Sequence, residues 1–306
     1  MTVLITLGPL LAALLFGFWI NIKIFTPSRV AKGLESLVYL ILGLIGFSLG
    51  ALENLSEKLI VAGYQAIVLL ALISFFNLSG LYLSGLRFKA THTSNSPKQE
   101  SSHNLAQVFI EAAKTLSWVI AGVVIGIFFG DTFTEVDATV TYLLYFLLFL
   151  IGCQLRQGNY RLRKLFLNPQ GVIIALVAIT TTLTAGLIGC SILELEWNHG
   201  LAVVSGFGWY SLSGILITGL GDPILGTTAF LLDLGREILI LMLIPFLSRI
   251  SSHISVGFSG ATAMDFTLPM LGKFHGADIV PICISSGLIM SLLVPILIPL
   301  FLGFSH

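Results

Sequence analysis

Apolar runs about 20 residues long recur along the whole chain, and about that many residues carry a helix across the hydrocarbon core of a bilayer. They predict helices near 2–22, 34–52, 59–86, 106–130, 137–155 and 170–193, followed by apolar stretches at 199–220, 223–248, 255–272 and 278–303. Stretches 223–248 and 278–303 are long and smoothly apolar, whereas 199–220 and 255–272 are broken by Gly, Ser, Thr, Trp, Tyr, Asp and Pro. Polar, helix-breaking sequence at membrane depth is tolerated where it is buried in protein or lines a cavity. The pattern therefore predicts an all-α integral membrane protein, a polytopic bundle of about eight full transmembrane helices plus two broken, re-entrant segments. Full crossing by both broken segments is the alternative.

Composition agrees. Of 306 residues, 56% are hydrophobic and 10% charged, against roughly 25% charged in soluble domains; so little charge cannot clothe a surface in water. The formal net charge is zero and no basic stripe exists, which removes a nucleic-acid partner. Cys153, Cys190 and Cys283 lie in apolar runs without metal-ligand spacing and read as small hydrophobes. Neither a metal nor a cofactor is implied. The first run lacks a small-residue cleavage site and is expected to be a retained helix. Residues 88–104, rich in Ser, Thr and Asn, read as a flexible loop inside a six-helix scaffold over 1–193. Residues 194–306 then form the transport-site region.

Lys and Arg are retained on the cytoplasmic side. Lys23, Arg29 and Lys32 follow the first span, Arg87, Lys89 and Lys98 the third, and Arg156, Arg161, Arg163 and Lys164 the fifth. The opposite loops carry Glu57, Lys58, Asp131, Glu135, Glu194 and Glu196. This places the N-terminus outside. With two re-entrant segments the C-terminus is outside as well.

Two internal repeats are visible. Residues 39–49 (YLILGLIGFSL) match 145–155 (YFLLFLIGCQL) across three helices, so the copies have opposite orientation in the membrane. Gly206-Phe207 and Leu220-Gly221 match Gly257-Phe258 and Leu271-Gly272, each pair bracketing a broken segment that a long helix follows. A 3+3 inverted scaffold with discontinuous helices meeting near the midplane is the plan of secondary transporters, and the layout resembles that of the glutamate transporters, in which two hairpins hold the substrate.

Ionisable residues at membrane depth are costly and point to function. Asp265 lies in the second broken segment, among small residues and Thr262 and four positions before Pro269; the bland alternative is a carboxylate capping a helix start beside Thr267. Glu53 ends the second span, where an ordinary interfacial carboxylate is the alternative; its counterpart in the repeat is Asn159. Asp233, Arg236 and Glu237 share one face of 223–248 at spacings of three and four. They form either a closed structural triad, with Arg236 offsetting the repulsion of the two acids, or a titratable or cation-binding site. The first broken segment, Ser205 to Gly214, offers the hydroxyls of Ser211 and Ser213 and the aromatic faces of Trp209 and Tyr210. Such faces hold an ammonium by cation–π attraction; an interfacial aromatic belt is the alternative.

The stretches Ser205 to Leu216 (SGFGWYSLSGIL), Asp233 to Glu237 and Gly260 to Leu268 (GATAMDFTL) resemble the LysO-type lysine exporter family. The resemblance runs nearly the whole chain and implies export of L-lysine, and of its toxic analogue thialysine, across the bacterial inner membrane, with use of the proton gradient. It also implies that two membrane-embedded acidic residues matter. These match Asp265 and Glu53, the latter where the family usually has Asp, so the charge is kept and the side chain is longer.

Together these readings give a non-enzymatic secondary transporter, with L-lysine, protons and the lipid bilayer as its partners and a homodimer as the candidate assembly. Asp265 or Glu53 would hold either a proton or an ammonium, and half-helix N-termini with Ser211, Ser213 or Thr262 would take the substrate carboxylate. The competing reading within transport is another small solute, such as a carboxylate moved with sodium or protons. An intramembrane aspartyl protease built on Asp233 and Asp265 leaves the twofold broken segments without a purpose.

Overall fold

The computed structural model describes residues 2–20, 26–51, 55–87, 105–129, 136–157 and 168–304. Among the described residues the chain is all helical. In order it forms α1 (Thr2–Trp19), α2 (Pro27–Gly50), α3 (Leu55–Arg87), α4 (Leu105–Phe129), α5 (Val136–Gln157), α6 (Pro169–Leu193), α7 (Trp197–Val204), α8 (Tyr210–Gly219), α9 (Pro223–Leu247), α10 (Ser252–Ser259), a 3-10 turn (Gly260–Met264), α11 (Leu268–His275), a 3-10 turn (Ala277–Ile279) and α12 (Val280–Leu302). The predicted spans 34–52, 59–86, 170–193, 223–248 and 278–303 correspond to α2, α3, α6, α9 and α12. The helix α2 starts earlier than its apolar run because Pro27 occupies the first turn after Thr26, where its missing N–H costs nothing.

Among the described residues, α2, α3, α6 and α12 are long and apolar enough to cross a membrane. Their outward faces are apolar too: Ile60, Tyr64, Ile67 and Phe75 on α3 and Leu176, Leu187 and Ile192 on α6 are exposed. Side chains of this kind are stable where the surrounding medium is lipid. The helix α9 is as long, but Asp233, Arg236 and Glu237 interrupt its apolar body.

Helices α1 and α5 pack together, as do α2 and α4, and α2 also lies on α5. Both tight pairs are built on glycine. A Cβ at Gly46 would run into the Val119 carbonyl oxygen, and one at Gly122 into that of Gly43; a Cβ at Gly152 would run into the Leu14 oxygen, and one at Gly17 into that of Phe149. The two sets coincide under the sequence shift that relates residues 39–49 to 145–155, to within one position. Small residues let helix backbones approach where no hydrophobic effect drives association. Helices α3 and α6 pack on each other and on the C-terminal region. They are joined by the fully buried Asn77, whose Nδ2 donates to Thr182 Oγ1 at 2.9 Å.

Both broken segments are broken. The stretch 199–220 divides into α7 and α8, and 255–272 into α10, a 3-10 turn and α11. The two interruptions touch: Ala261 N donates to the Phe207 carbonyl at 2.9 Å. Phe207 and Gly208 have positive φ values of 49° and 93°, and Gly260 one of 69°. At Gly260 a side chain would collide with the Phe207 carbonyl, so glycine is required there both for its backbone angle and for the close approach.

Candidate functional site

The helix α9 fixes the two breaks. Asp233 is 1% exposed, and its Oδ1 accepts from Gly208 N at 2.8 Å while its Oδ2 accepts from Ser213 Oγ at 2.6 Å. It thus supplies negative charge to the N-terminal end of α8, where the helix dipole is positive and amides lack partners. Arg236, also 1% exposed, donates from Nε to the Phe258 carbonyl at 3.1 Å and from Nη2 to that of Gly257 at 3.4 Å. These are terminal carbonyls of α10, the negative end of its dipole. The polar atoms of Asp233 and Arg236 that have partners are therefore directed to the two breaks, to backbone groups and the Ser213 hydroxyl, rather than to each other. Glu237 is buried beside them on α9.

Beyond this clamp lie two adjoining cavities, of about 300 Å³ and about 290 Å³. They share Ile151 and Gln154 of α5, Trp209 of the first break and Asp265 of the second. The first extends toward Leu14 of α1 and Ser291 and Pro295 of α12. The second extends toward Glu35 and Tyr39 of α2, and toward Tyr210 and Ser211 at the start of α8. The space thus sits on the seam between α1, α2 and α5 on one side and the broken helices with α12 on the other.

Asp265 is exposed onto this space. Its Oδ1 accepts from the adjacent Phe266 N at 2.6 Å, and its Oδ2 has no partner among the described residues. Thr267 stands at the start of α11, and no side-chain bond caps that end; the Thr267 hydroxyl donates to the Thr262 carbonyl at 3.0 Å. Asp265 therefore does not cap the helix and keeps an oxygen facing the cavities.

The structure thus gathers Asp265, Trp209, Tyr210 and Ser211 around one space. It places Ser213 elsewhere, on Asp233. The Thr262 hydroxyl donates to the Ser259 carbonyl at 2.9 Å, inside the second break. Asp233, Arg236 and Glu237 do not line either cavity. Glu53 and Asn159 lie outside the described residues. Sequence reasoning passed over Gln154 and Glu35. Gln154 is a lone amide inside an apolar run, and its position in the matched stretch 145–155 was the available signal. Glu35 reads from sequence as an ordinary residue near a helix end.

The polar groups that face the seam, a carboxylate, aromatic rings, an amide and a hydroxyl, can bind an ammonium ion at one end and a polar headgroup at the other. Among the described residues no cluster of three or more His, Cys, Asp and Glu could hold a metal ion.

The model of the family described as "Lysine exporter LysO" matches residues 116–302. The chain is 39% identical over 295 residues to the "Lysine exporter LysO" of Escherichia coli (strain K12), covering 95% of this chain and 97% of that protein. It is 39% identical over 189 residues to a "Putative lysine exporter" of Haemophilus influenzae, covering 62% of this chain and 97% of that protein. No solved structure matches. A family match over more than half the chain, with a relative aligned almost end to end, leads to one conclusion: this chain belongs to the LysO lysine exporter family.

Proposed function

We propose that the chain is a secondary active transporter that exports L-lysine, and analogues such as thialysine, across the bacterial cytoplasmic membrane in exchange for protons. The observation that carries this reading is the Asp265 carboxylate, which faces a shared cavity beside Trp209 where two interrupted helices meet. Asp265 binds an ammonium of lysine, and the rings of Trp209 and Tyr210 shield the alkyl chain or the charge. Ser211 and the N-terminal end of α8 meet the substrate carboxylate. Once lysine has left, a proton takes its place on Asp265. A group that holds either a proton or an ammonium exchanges one for the other. Glu53 is the second acidic residue of this scheme.

The membrane arrangement belongs to the same reading: eight crossings with the α7–α8 and α10–α11 segments re-entrant, both termini outside, and an inverted repeat relating α1–α3 to α4–α6. The matched glycine contacts of α1–α5 and α2–α4 support the repeat. So does the Asn77–Thr182 hydrogen bond, whose 105-residue separation joins positions of α3 and α6 that are equivalent to within one residue.

Counterflow of radiolabelled L-lysine in proteoliposomes tests the proposal. Saturable exchange that responds to an imposed pH gradient and not to sodium is the expected result. Sodium dependence without pH dependence, or flux of a carboxylate in place of lysine, would overturn it.

A further inference from the structure

We propose that Glu35 and Tyr39 form a second ammonium-binding site of the transport path, and that Lys114 occupies it in this conformation as a tethered stand-in for the substrate. The inference rests on the reading of the chain as a lysine exporter.

Glu35 and Tyr39 lie one helical turn apart on α2 and therefore on one face. From α4, the Lys114 ammonium reaches both: Nζ is 3.2 Å from Glu35 Oε1 and 4.4 Å from the centroid of the Tyr39 ring. Trp118, one turn along α4, stacks on Tyr39 with centroids 6.0 Å apart and an interplanar angle of 16°, which fixes the ring's orientation. A carboxylate joined to an aromatic face is the chemistry that recognises a primary alkylammonium. Here it already holds one, at the end of a lysine side chain.

Two further observations turn this contact into a site. The cavity of about 290 Å³ that Asp265 lines is lined by Glu35 and Tyr39 as well. Its two carboxylates match the two ammonium groups of lysine, one more than a neutral amino acid carries. The resident pair is also weakly held, because the Glu35 and Lys114 side chains are 59% and 50% exposed, and exposed ion pairs contribute little. An incoming ammonium can displace Lys114 at small cost. Selection for a dibasic substrate then begins at Glu35, before the substrate reaches Asp265.

The test compares Glu35→Gln with Lys114→Met in lysine counterflow, with Lys114→Arg as a charge-preserving control. Both neutral variants break the same contact, so a merely structural tie between α2 and α4 moves them in the same direction. A binding site with a resident competitor moves them apart. Lys114→Met lowers the KM for lysine about threefold to tenfold, and Glu35→Gln raises it by a comparable factor. Maximal rates stay near that of the unsubstituted protein, and Lys114→Arg keeps its KM. Shifts of both neutral variants in one direction, or no shift in either, would overturn the site while leaving lysine transport intact. Absence of lysine flux in the unsubstituted protein would overturn this inference together with the reading on which it rests.

Discussion

Asp233 and Arg236, three residues apart on α9, hold opposite ends of two different interrupted helices. Asp233 takes the Gly208 amide at the head of α8, and Arg236 the Gly257 and Phe258 carbonyls at the tail of α10. Each charge faces the dipole end of opposite sign, and in the buried interior each also satisfies backbone groups that no water reaches. One rigid helix thereby sets the relative position of both breaks, and so of Trp209 and Asp265.

This clamp predicts a stability phenotype. Asp233→Ala leaves the Gly208 amide and the Ser213 hydroxyl buried without their acceptor, at about 1–3 kcal/mol. Its melting temperature in detergent is expected to fall well below that of Asp233→Asn, which keeps an acceptor oxygen. Equal melting temperatures for the two variants would contradict the assignment.

Asp265 predicts the reverse. Its one hydrogen bond among the described residues, from Phe266 N, can be accepted equally by an amide oxygen. Asp265→Asn is therefore expected to change stability by no more than about 0.5 kcal/mol, as substitutions away from structural features do, while losing transport. A large loss of stability would assign Asp265 a structural role in place of a binding one.

Trp209 borders both cavities. Replacing its ring with alanine removes a contact that contributes about 0.5–2 kcal/mol to holding an ammonium, so KM for lysine is expected to rise by up to roughly thirtyfold. Trp209→Phe keeps an aromatic face and should recover most of that loss. Identical behaviour of the two variants would show that ring stacking or charge attraction plays no part.

Gly46 and Gly152 stand at matching positions of the stretches 39–49 and 145–155, each against a carbonyl of the helix it packs on. Valine at either should force the pair apart at about 1–3 kcal/mol, with similar losses in melting temperature. A large effect at one and none at the other would count against the proposed inverted repeat.

The helices were legible because each apolar run is long enough to stand alone as a signal. The breaks were legible because Gly206, Gly208 and Gly260 stand among serines where a continuous helix would hold larger apolar residues. The role of Asp233 and Arg236 was not. Their spacing on α9 suggested that they answer one another, but their partners are backbone groups and the Ser213 hydroxyl, 20 to 25 residues away, and no side-chain pattern encodes a bond to a carbonyl or an amide. Ser213 followed Asp233 for the same reason. Gln154 and Glu35 stayed hidden because their relevance depends on α2 and α5 lining the seam, a tertiary arrangement that periodicity in a single helix does not contain. Glu53, singled out by resemblance, lies outside the described residues.

The most direct measurement is proton movement coupled to lysine exchange, followed with a pH-sensitive dye sealed inside proteoliposomes, for the unsubstituted protein and Asp265→Asn side by side. The account predicts that lysine flux in one direction drives protons in the other, and that Asp265→Asn abolishes this coupling while the protein remains folded. Lysine-driven proton movement that persists undiminished in Asp265→Asn would contradict it.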